Sequence, residues 1–198
     1  MDYVLFITTF AAASYLPGLN MTMALSLSLN LGYKKTLFMI FGGVLGLGFV
    51  SVVCALGASA VIINKPDIFA VLKVVGGIYI IYLGFKMFFT TSSKYSHQAP
   101  KSISNLALFI QGFMICNINP KAWIFLVTLL PPFLDKNNPV NFKMFFLIFI
   151  IMIIEFISYN TYTLGGAMFK KFMKEYAYIL EKISASLMVV IGIWIVLK

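Results

Sequence analysis

The sequence lacks the residue patterns on which most enzymatic chemistry depends. Its single histidine, His97, lies in a polar loop without neighbouring metal ligands, and no Ser-His-Asp or zinc-protease pattern is visible. A glycine-rich phosphate loop followed by Lys-Ser or Lys-Thr is also missing, which excludes direct use of ATP by this chain. The two cysteines, Cys54 and Cys116, lie in separate apolar runs and do not suggest a disulfide framework. We therefore predict a protein that is not an enzyme, with no cofactor and no metal site.

Charge is the second scarcity. Charged residues make up 11% of the 198 residues, and hydrophobic residues make up 61%. Soluble domains have about 25% charged residues. Arginine is missing altogether, so the net charge of +9 comes from lysines in short loops between apolar runs. This distribution is typical of membrane proteins and argues against a nucleic-acid partner. The composition predicts an all-α integral membrane protein in contact with the lipid bilayer and without a sizeable soluble domain.

Six apolar stretches are long enough to cross a bilayer, which takes about 20 residues. Their approximate ranges are 4–31, 37–63, 68–89, 106–130, 142–168 and 178–197. The longest polar loop, 90–105, separates the third stretch from the fourth. The start of the chain lacks the positive charges of a signal peptide, and its charged side chain is Asp2, so we interpret it as part of the first membrane helix. We predict a single transmembrane domain over residues 1–198.

The lysines are distributed unequally between the two sides of the predicted membrane domain. The loops after the first, third and fifth spans carry nine lysines, and the opposite side carries five. Because lysine-rich loops stay in the cytoplasm, the first set of loops is expected there. Both termini are then predicted to lie outside.

The two halves of the chain resemble each other in sequence. Segments 72–84 and 180–192 have similar apolar patterns 108 positions apart, and the two prolines Pro17 and Pro120 are 103 positions apart. Because each half contains three spans, the second half must be inverted relative to the first. We predict six transmembrane helices arranged as two inverted three-helix repeats, about 1–89 and about 106–198. Secondary transporters have this architecture, with the binding site near the midplane.

Proline breaks interrupt one apolar stretch in each half. A proline removes a helix hydrogen bond, so the backbone near it must be buried in protein or line a wet cavity. Such broken helices at corresponding positions are the best sequence pointer to a transport site. The candidate binding residues at the first break are Pro17, Gly18, Asn20 and Thr22. Those at the second break are Asn117, Asn119, Pro120 and Lys121.

Two charged residues at membrane depth complete the candidate site. Lys121 needs a partner or a wet cavity, because a lysine at this depth costs about 2.5–3.5 kcal/mol. Glu155 is acidic and deep in a span, and it shares a helix face with three polar residues, Ser158, Tyr159 and Tyr162. Of these, Tyr159 is a further candidate binding residue. A carboxylate in low dielectric pairs with a cation or keeps its proton. Glu155 therefore either binds a substrate amine or carries a proton, or it only pairs with Lys121 or Lys73.

The chain resembles the LysE/RhtB family of amino-acid exporters over nearly its whole length. The resemblance is carried by Pro17-Gly18, by the glycine-rich second span from Gly42 to Gly57, by Leu72-Lys73 with Gly76, Gly77, Tyr79, Tyr82, Leu83 and Gly84, and by Gly112 followed by Asn119-Pro120-Lys121. The family's first motif is usually Pro-Gly-Pro, and here Leu19 stands at the third position. The first break therefore lacks a second proline.

The resemblance implies a secondary transporter that exports amino acids or related small metabolites across the cytoplasmic membrane of a bacterium. It implies ion-coupled alternating access, with a proton or sodium as the coupling ion, and a homodimer as a frequent assembly. Two alternatives remain. A metal-ion exporter of a related family would need clustered Cys, His or carboxylate ligands. In a non-transporting membrane subunit, the polar groups inside the membrane would be dispensable.

Overall fold

The structure is a computed structural model that describes residues 3–15, 18–64, 66–89, 103–135, 138 and 140–197. Within these ranges, regular structure consists of seven α-helices and one 3₁₀ turn, without a strand. The elements are α1 (Tyr3–Ser14), α2 (Leu19–Leu31), α3 (Tyr33–Asn64), α4 (Pro66–Phe89), α5 (Asn105–Ile118), α6 (Pro120–Leu129), the 3₁₀ turn Pro131–Phe133 and α7 (Phe142–Leu197). The all-α prediction is confirmed for this part of the chain.

The first predicted span consists of two helices. α1 ends at Ser14, and α2 begins after Gly18, which caps it in an extended conformation. α2 ends at Gly32, whose φ of 83° turns the chain directly into α3. Glycine suits this position because other residues adopt positive φ only at a cost.

The second half of the chain contains a similar break. Ser104 caps α5, since its Oγ accepts the backbone N–H of Ala107 at 3.2 Å. α5 ends at Asn119, and the helix axis bends by 60° between Asn105–Ile118 and Ala122–Phe133. α6 then starts with Pro120, a residue that fits the first position of a helix because the amide there needs no intrahelical partner.

α7 is divided by Gly166, which has non-helical φ and ψ of 45° and −127°. The predicted fifth span, about 142–168, agrees with the segment before this kink, but the loop expected at residues 169–177 is wrong, because these residues are helical. The lysines of this segment suggested a loop, but lysine is a good helix former. The chain turns at Gly166 instead, because its positive φ is readily adopted only by glycine. The part of α7 before Gly166 packs on α1, α2 and α3, and the part after it packs on α4.

Close helix contacts surround α3. A Cβ added at Gly42 would collide with the carbonyl oxygen of Phe109, and one added at Gly112 would collide with that of Met39. α3 and α5 therefore approach each other through small residues, as membrane helices commonly do. This contact fixes α5, and with it the second break, against the centre of α3.

Membrane crossing is supported by length and composition. Tyr33–Ala58 and Phe142–Gly166 are long and apolar enough to span a membrane, and the bent pair of α5 and α6 makes a third segment if it forms one span. The prediction of six spans in two inverted repeats stays a prediction.

Candidate functional site

A cavity of about 200 Å³ lies where the two helix breaks meet. It is open on one side and is lined by the last turn of α1, the first turns of α2 and α6, the middle of α3 and the part of α7 before Gly166. The polar part of its lining comes from Ser14, Gly18, Asn20, Asn119 and Glu155. The apolar part comes from Phe10, Ala13, Met21, Leu47, Ala122, Phe125 and Leu126. The cavity is therefore a mixed surface, built by residues from both halves of the chain.

Two helix N-termini contribute to this lining. Gly18, Asn20 and Met21 lie at the start of α2. Gly18 is the N-cap residue and has no side chain that could accept a hydrogen bond from the first amides of this helix. Asn119 and Ala122 belong to the start of α6. The first amides of a helix have no intrahelical acceptor, and they carry a partial positive charge of about +0.5. Such ends favour an anionic group in the cavity.

Glu155 supplies negative charge to the same cavity. Its side chain is only 5% exposed, and Ser14 Oγ donates a hydrogen bond of 2.5 Å to Glu155 Oε2. Ser14 is the last residue of α1, so the C-terminal end of that helix dipole lies beside the carboxylate. Together they favour a cationic group.

The polar face of α7 also stabilises the end of α1. Ser158 Oγ donates to the carbonyl of Ser14 at 3.1 Å, and Tyr162 donates its hydroxyl to the carbonyl of Tyr15 at 2.8 Å. Carbonyls in the last turn of a helix have no intrahelical partner and need such donors in a low dielectric. The polar face of α7 predicted around Glu155 therefore supplies hydrogen-bond donors to the carbonyls at the first break.

A second polar group lies next to the cavity around Asn20. Asn20 Nδ2 donates to Cys116 Sγ at 3.2 Å, and that sulfur lies 3.9 Å from the hydroxyl of Tyr159. Asn20 Oδ1 is buried and has no hydrogen-bond partner among the residues that the structure describes. One end of the Asn20 amide is thus held by α5, and the other end is a buried acceptor that no described residue satisfies. Tyr159 is fully buried behind this group and does not line the cavity.

The structure brings four of the predicted site residues to one cavity: Gly18, Asn20, Asn119 and Glu155. Tyr159 lies one contact behind them. Thr22 Oγ1 donates to the carbonyl of Gly18 at 2.8 Å, and Asn117 Nδ2 donates to the carbonyl of Phe113 at 2.8 Å, so both make bonds to the preceding helix turn. Neither is part of the cavity lining.

Three predicted residues fall partly or wholly outside the description. Pro17 lies outside the described residues. Pro120 and Lys121 have described helical backbone at the start of α6, but their side chains lie outside the described residues. Their part in binding stays a prediction.

Sequence reasoning missed Ser14, Cys116 and Leu47. Ser14 precedes Pro17 by three residues, so its place in the last turn before a break was a usable signal. Cys116 lies in an apolar run and is buried, and its sulfur also anchors Asn20. Nothing in the sequence around Leu47 marks it as a cavity residue, because apolar residues occur on every face of a membrane helix.

Comparison with known proteins identifies the family. The LysE type translocator family matches residues 11–198. The chain belongs to this family. The resemblance found from the residues is therefore confirmed, and the chain is a membrane protein of a bacterial family of translocators.

Individual relatives agree with this assignment. The "Uncharacterized membrane protein YrhP" of Bacillus subtilis (strain 168) is 29% identical over 191 residues, which cover 90% of each chain. The "Leucine efflux protein" of Salmonella choleraesuis (strain SC-B67) is 26% identical over 67% of this chain and 63% of its own length. The "Homoserine/homoserine lactone efflux protein" of Salmonella typhimurium (strain LT2) is 27% identical over 68% of this chain and 65% of its own. No solved structure matches the chain significantly.

A metal site finds no support in the described part of the chain. No group of three or more His, Cys, Asp or Glu side chains there is placed to hold a metal ion. The cavity lining has one carboxylate, Glu155, and otherwise amide, hydroxyl and apolar groups. Such a lining suits a small organic molecule with charges of both signs.

Proposed function

We propose that this LysE-family protein is a secondary transporter that exports amino acids or related small metabolites across the cytoplasmic membrane. The observation that carries the proposal is the cavity at the two helix breaks, where two helix N-termini and the carboxylate of Glu155 share one lining. An amino acid carries one carboxylate and one ammonium group, which match these two kinds of surface. Relatives named for the efflux of leucine and of homoserine support the same class of cargo.

The substrate carboxylate binds at the starts of α2 and α6. The first backbone amides of a helix point out of its N-terminal end, and both of these N-terminal ends lie at the cavity. Asn20 Oδ1, a hydrogen-bond acceptor without a partner among the described residues, suits the substrate ammonium instead. The ammonium binds at Glu155 and at the carboxyl end of α1. Lys121 remains a candidate contact for the substrate carboxylate or partner for Glu155.

The helix packing supports an inverted repeat. The first span packs on the first part of α7, and the α5–α6 pair packs on α3. These two contacts are equivalent if the halves of the chain exchange places. Two further contacts join equivalent spans of the two halves: α4 with the last part of α7, and α3 with the first part of α7. Exchanging the halves therefore leaves each of these contacts unchanged. We therefore infer six spans in two inverted repeats, with both termini outside.

Alternating access follows from this architecture. Rocking one repeat against the other opens the cavity to one side of the membrane at a time. A proton or sodium gradient supplies the driving force, with Glu155 as the candidate carrier of the coupling proton. A homodimer is the proposed assembly.

Flux into sealed vesicles tests the function. Purified protein is reconstituted, labelled amino acids are added, and a pH or sodium gradient is imposed. We expect gradient-dependent flux of at least one amino acid, with none in protein-free vesicles. If no amino acid or dipeptide moves under either gradient, the proposal is refuted. If the polar cavity residues prove dispensable and a partner co-purifies, the chain is a non-transporting subunit.

A further inference from the structure

We propose that the cavity selects amino acids with a single ammonium group and a medium-sized aliphatic side chain, and that Leu47 sets this selectivity. The inference rests on the proposed function, since it concerns the substrate of the same cavity. It is carried by the charge, the polarity and the size of the lining, and by the position of Leu47.

The charge of the lining limits the charge of the substrate. Glu155 is the charged side chain among the lining residues that the structure describes, and it already accepts a hydrogen bond from Ser14. The α-ammonium of an amino acid has this carboxylate as its counter-charge. A second cationic group, as in lysine, would be buried without one, which is strongly unfavourable.

The rest of the lining is apolar and well buried. Phe10, Leu47, Phe125 and Leu126 are 3%, 5%, 6% and 1% exposed. An aliphatic group placed against these side chains gains, because its own apolar surface is removed from water. A hydroxyl group placed against them would lose its hydrogen bonds to water without replacement.

The size of the cavity bounds the side chain. A cavity of about 150 Å³ lined by apolar residues accommodates benzene, which has about six non-hydrogen atoms. On that scale the cavity of about 200 Å³ takes about eight, the size of valine or leucine. Tryptophan exceeds this volume, so part of its side chain would extend out of the open side of the cavity and lose contact with the apolar walls.

In the proposed repeat, the separation of segments 72–84 and 180–192 makes Leu47 the counterpart of Glu155. Both separations are 108 positions. Both line the cavity, Leu47 from α3 and Glu155 from α7. The repeat therefore offers two equivalent places for a carboxylate, and only one carries it. The isobutyl group of Leu47 makes the opposite wall apolar.

Matched substrates test the selectivity of the full-length protein in vesicles. Norvaline and homoserine have the same shape and differ by a methyl group in place of a hydroxyl group. We expect norvaline to be favoured in kcat/KM by about tenfold or more. Leucine should be favoured over lysine and over tryptophan by larger factors. Lysine moving as well as leucine, or homoserine as well as norvaline, would overturn the inference while upholding amino-acid export. No flux for any compound would overturn the proposed function and this inference with it.

Substitution of Leu47 tests its role. Leu47→Glu should lower the leucine-to-lysine ratio of kcat/KM by about tenfold or more, since a second carboxylate then faces the cavity. Leu47→Met, which conserves volume and polarity, should keep the wild-type ratio. If Leu47→Glu does not reach the membrane in folded form, Leu47→Gln replaces it and should lower the norvaline-to-homoserine ratio. An unchanged ratio in the folded variant would show that Leu47 does not set selectivity.

Discussion

The two helix breaks, whose prolines are 103 positions apart in the sequence, are stabilised by different means. At the first break, α7 supplies the donors, because Ser158 and Tyr162 donate to carbonyls at the end of α1. At the second break the donor is local, because Trp123 Nε1 donates to the carbonyl of Asn117, six residues earlier, at 2.7 Å. The first break is therefore stabilised by hydrogen bonds from α7, whereas this hydrogen bond at the second break joins two residues of the α5–α6 pair.

The two breaks also differ in charge. Ser14 at the first break donates to the carboxylate of Glu155. Its counterpart 103 positions later is Asn117, which bonds within α5 and lies next to Gly46, in the helix turn of α3 that carries Leu47. Among the described side chains of the cavity lining, the charge therefore belongs to Glu155 beside the first break, while the second break carries Lys121, whose side chain lies outside the described residues. A cavity with one charged wall can orient a zwitterion.

The largest expected effect comes from removing the charged wall. Glu155→Gln should reduce vesicle flux by about a hundredfold, since breaking a buried charged pair costs about 2–5 kcal/mol. Initial rates at equal amounts of reconstituted protein measure this. The control is Ser51→Ala, which removes a buried hydroxyl bonded within α3 and should change the rate less than twofold. Equal flux in wild type and Glu155→Gln would remove the carboxylate from the site.

An intermediate effect distinguishes the polar residues of the two breaks. Asn20→Ala should raise the apparent KM by about tenfold, because a hydrogen bond to a charged group contributes about 1.5–3 kcal/mol. Asn119→Ala should have a smaller effect, because α6 still presents its backbone amides. The KM values of both variants are measured from concentration-dependent flux. If Asn119→Ala is the more damaging change, the second break dominates substrate binding.

The smallest effect concerns the stabilisation of each break. Tyr162→Phe removes a bond between α7 and the end of α1, so it should change the maximal flux by about two- to fivefold, with a cost near 1 kcal/mol. Trp123→Phe removes a bond within the bent pair and should lower the melting temperature with little change in flux. Thermal unfolding in detergent and vesicle flux are measured for both. The opposite outcome would show that the second break moves during transport and the first does not.

Much of this arrangement was predictable from the sequence. Prolines inside apolar stretches marked both breaks, and a carboxylate in a membrane span marked Glu155, because each is costly in hydrocarbon unless protein or water compensates. Four of the predicted binding residues therefore line one cavity.

Other features were not predictable, because they depend on which way a side chain points. Thr22 and Asn117 have the same polar character as Asn20, yet their bonds go back to their own helices. The sequence offered two places for the end of the fifth span, Gly166 and the lysine-rich segment 169–177. Only the backbone conformation shows that the chain turns at Gly166.

The sequence by itself determined that the chain is helical, that it belongs in a membrane, and where its helices break, since these follow from apolar runs and from the missing amide of proline. The tertiary structure alone decided that Ser14 and Leu47 join the cavity at the two breaks, and that Thr22 and Asn117 do not. The physical reason is that apolar periodicity specifies which segments are buried, whereas close packing such as that of Gly42 against Phe109 specifies which buried surfaces meet.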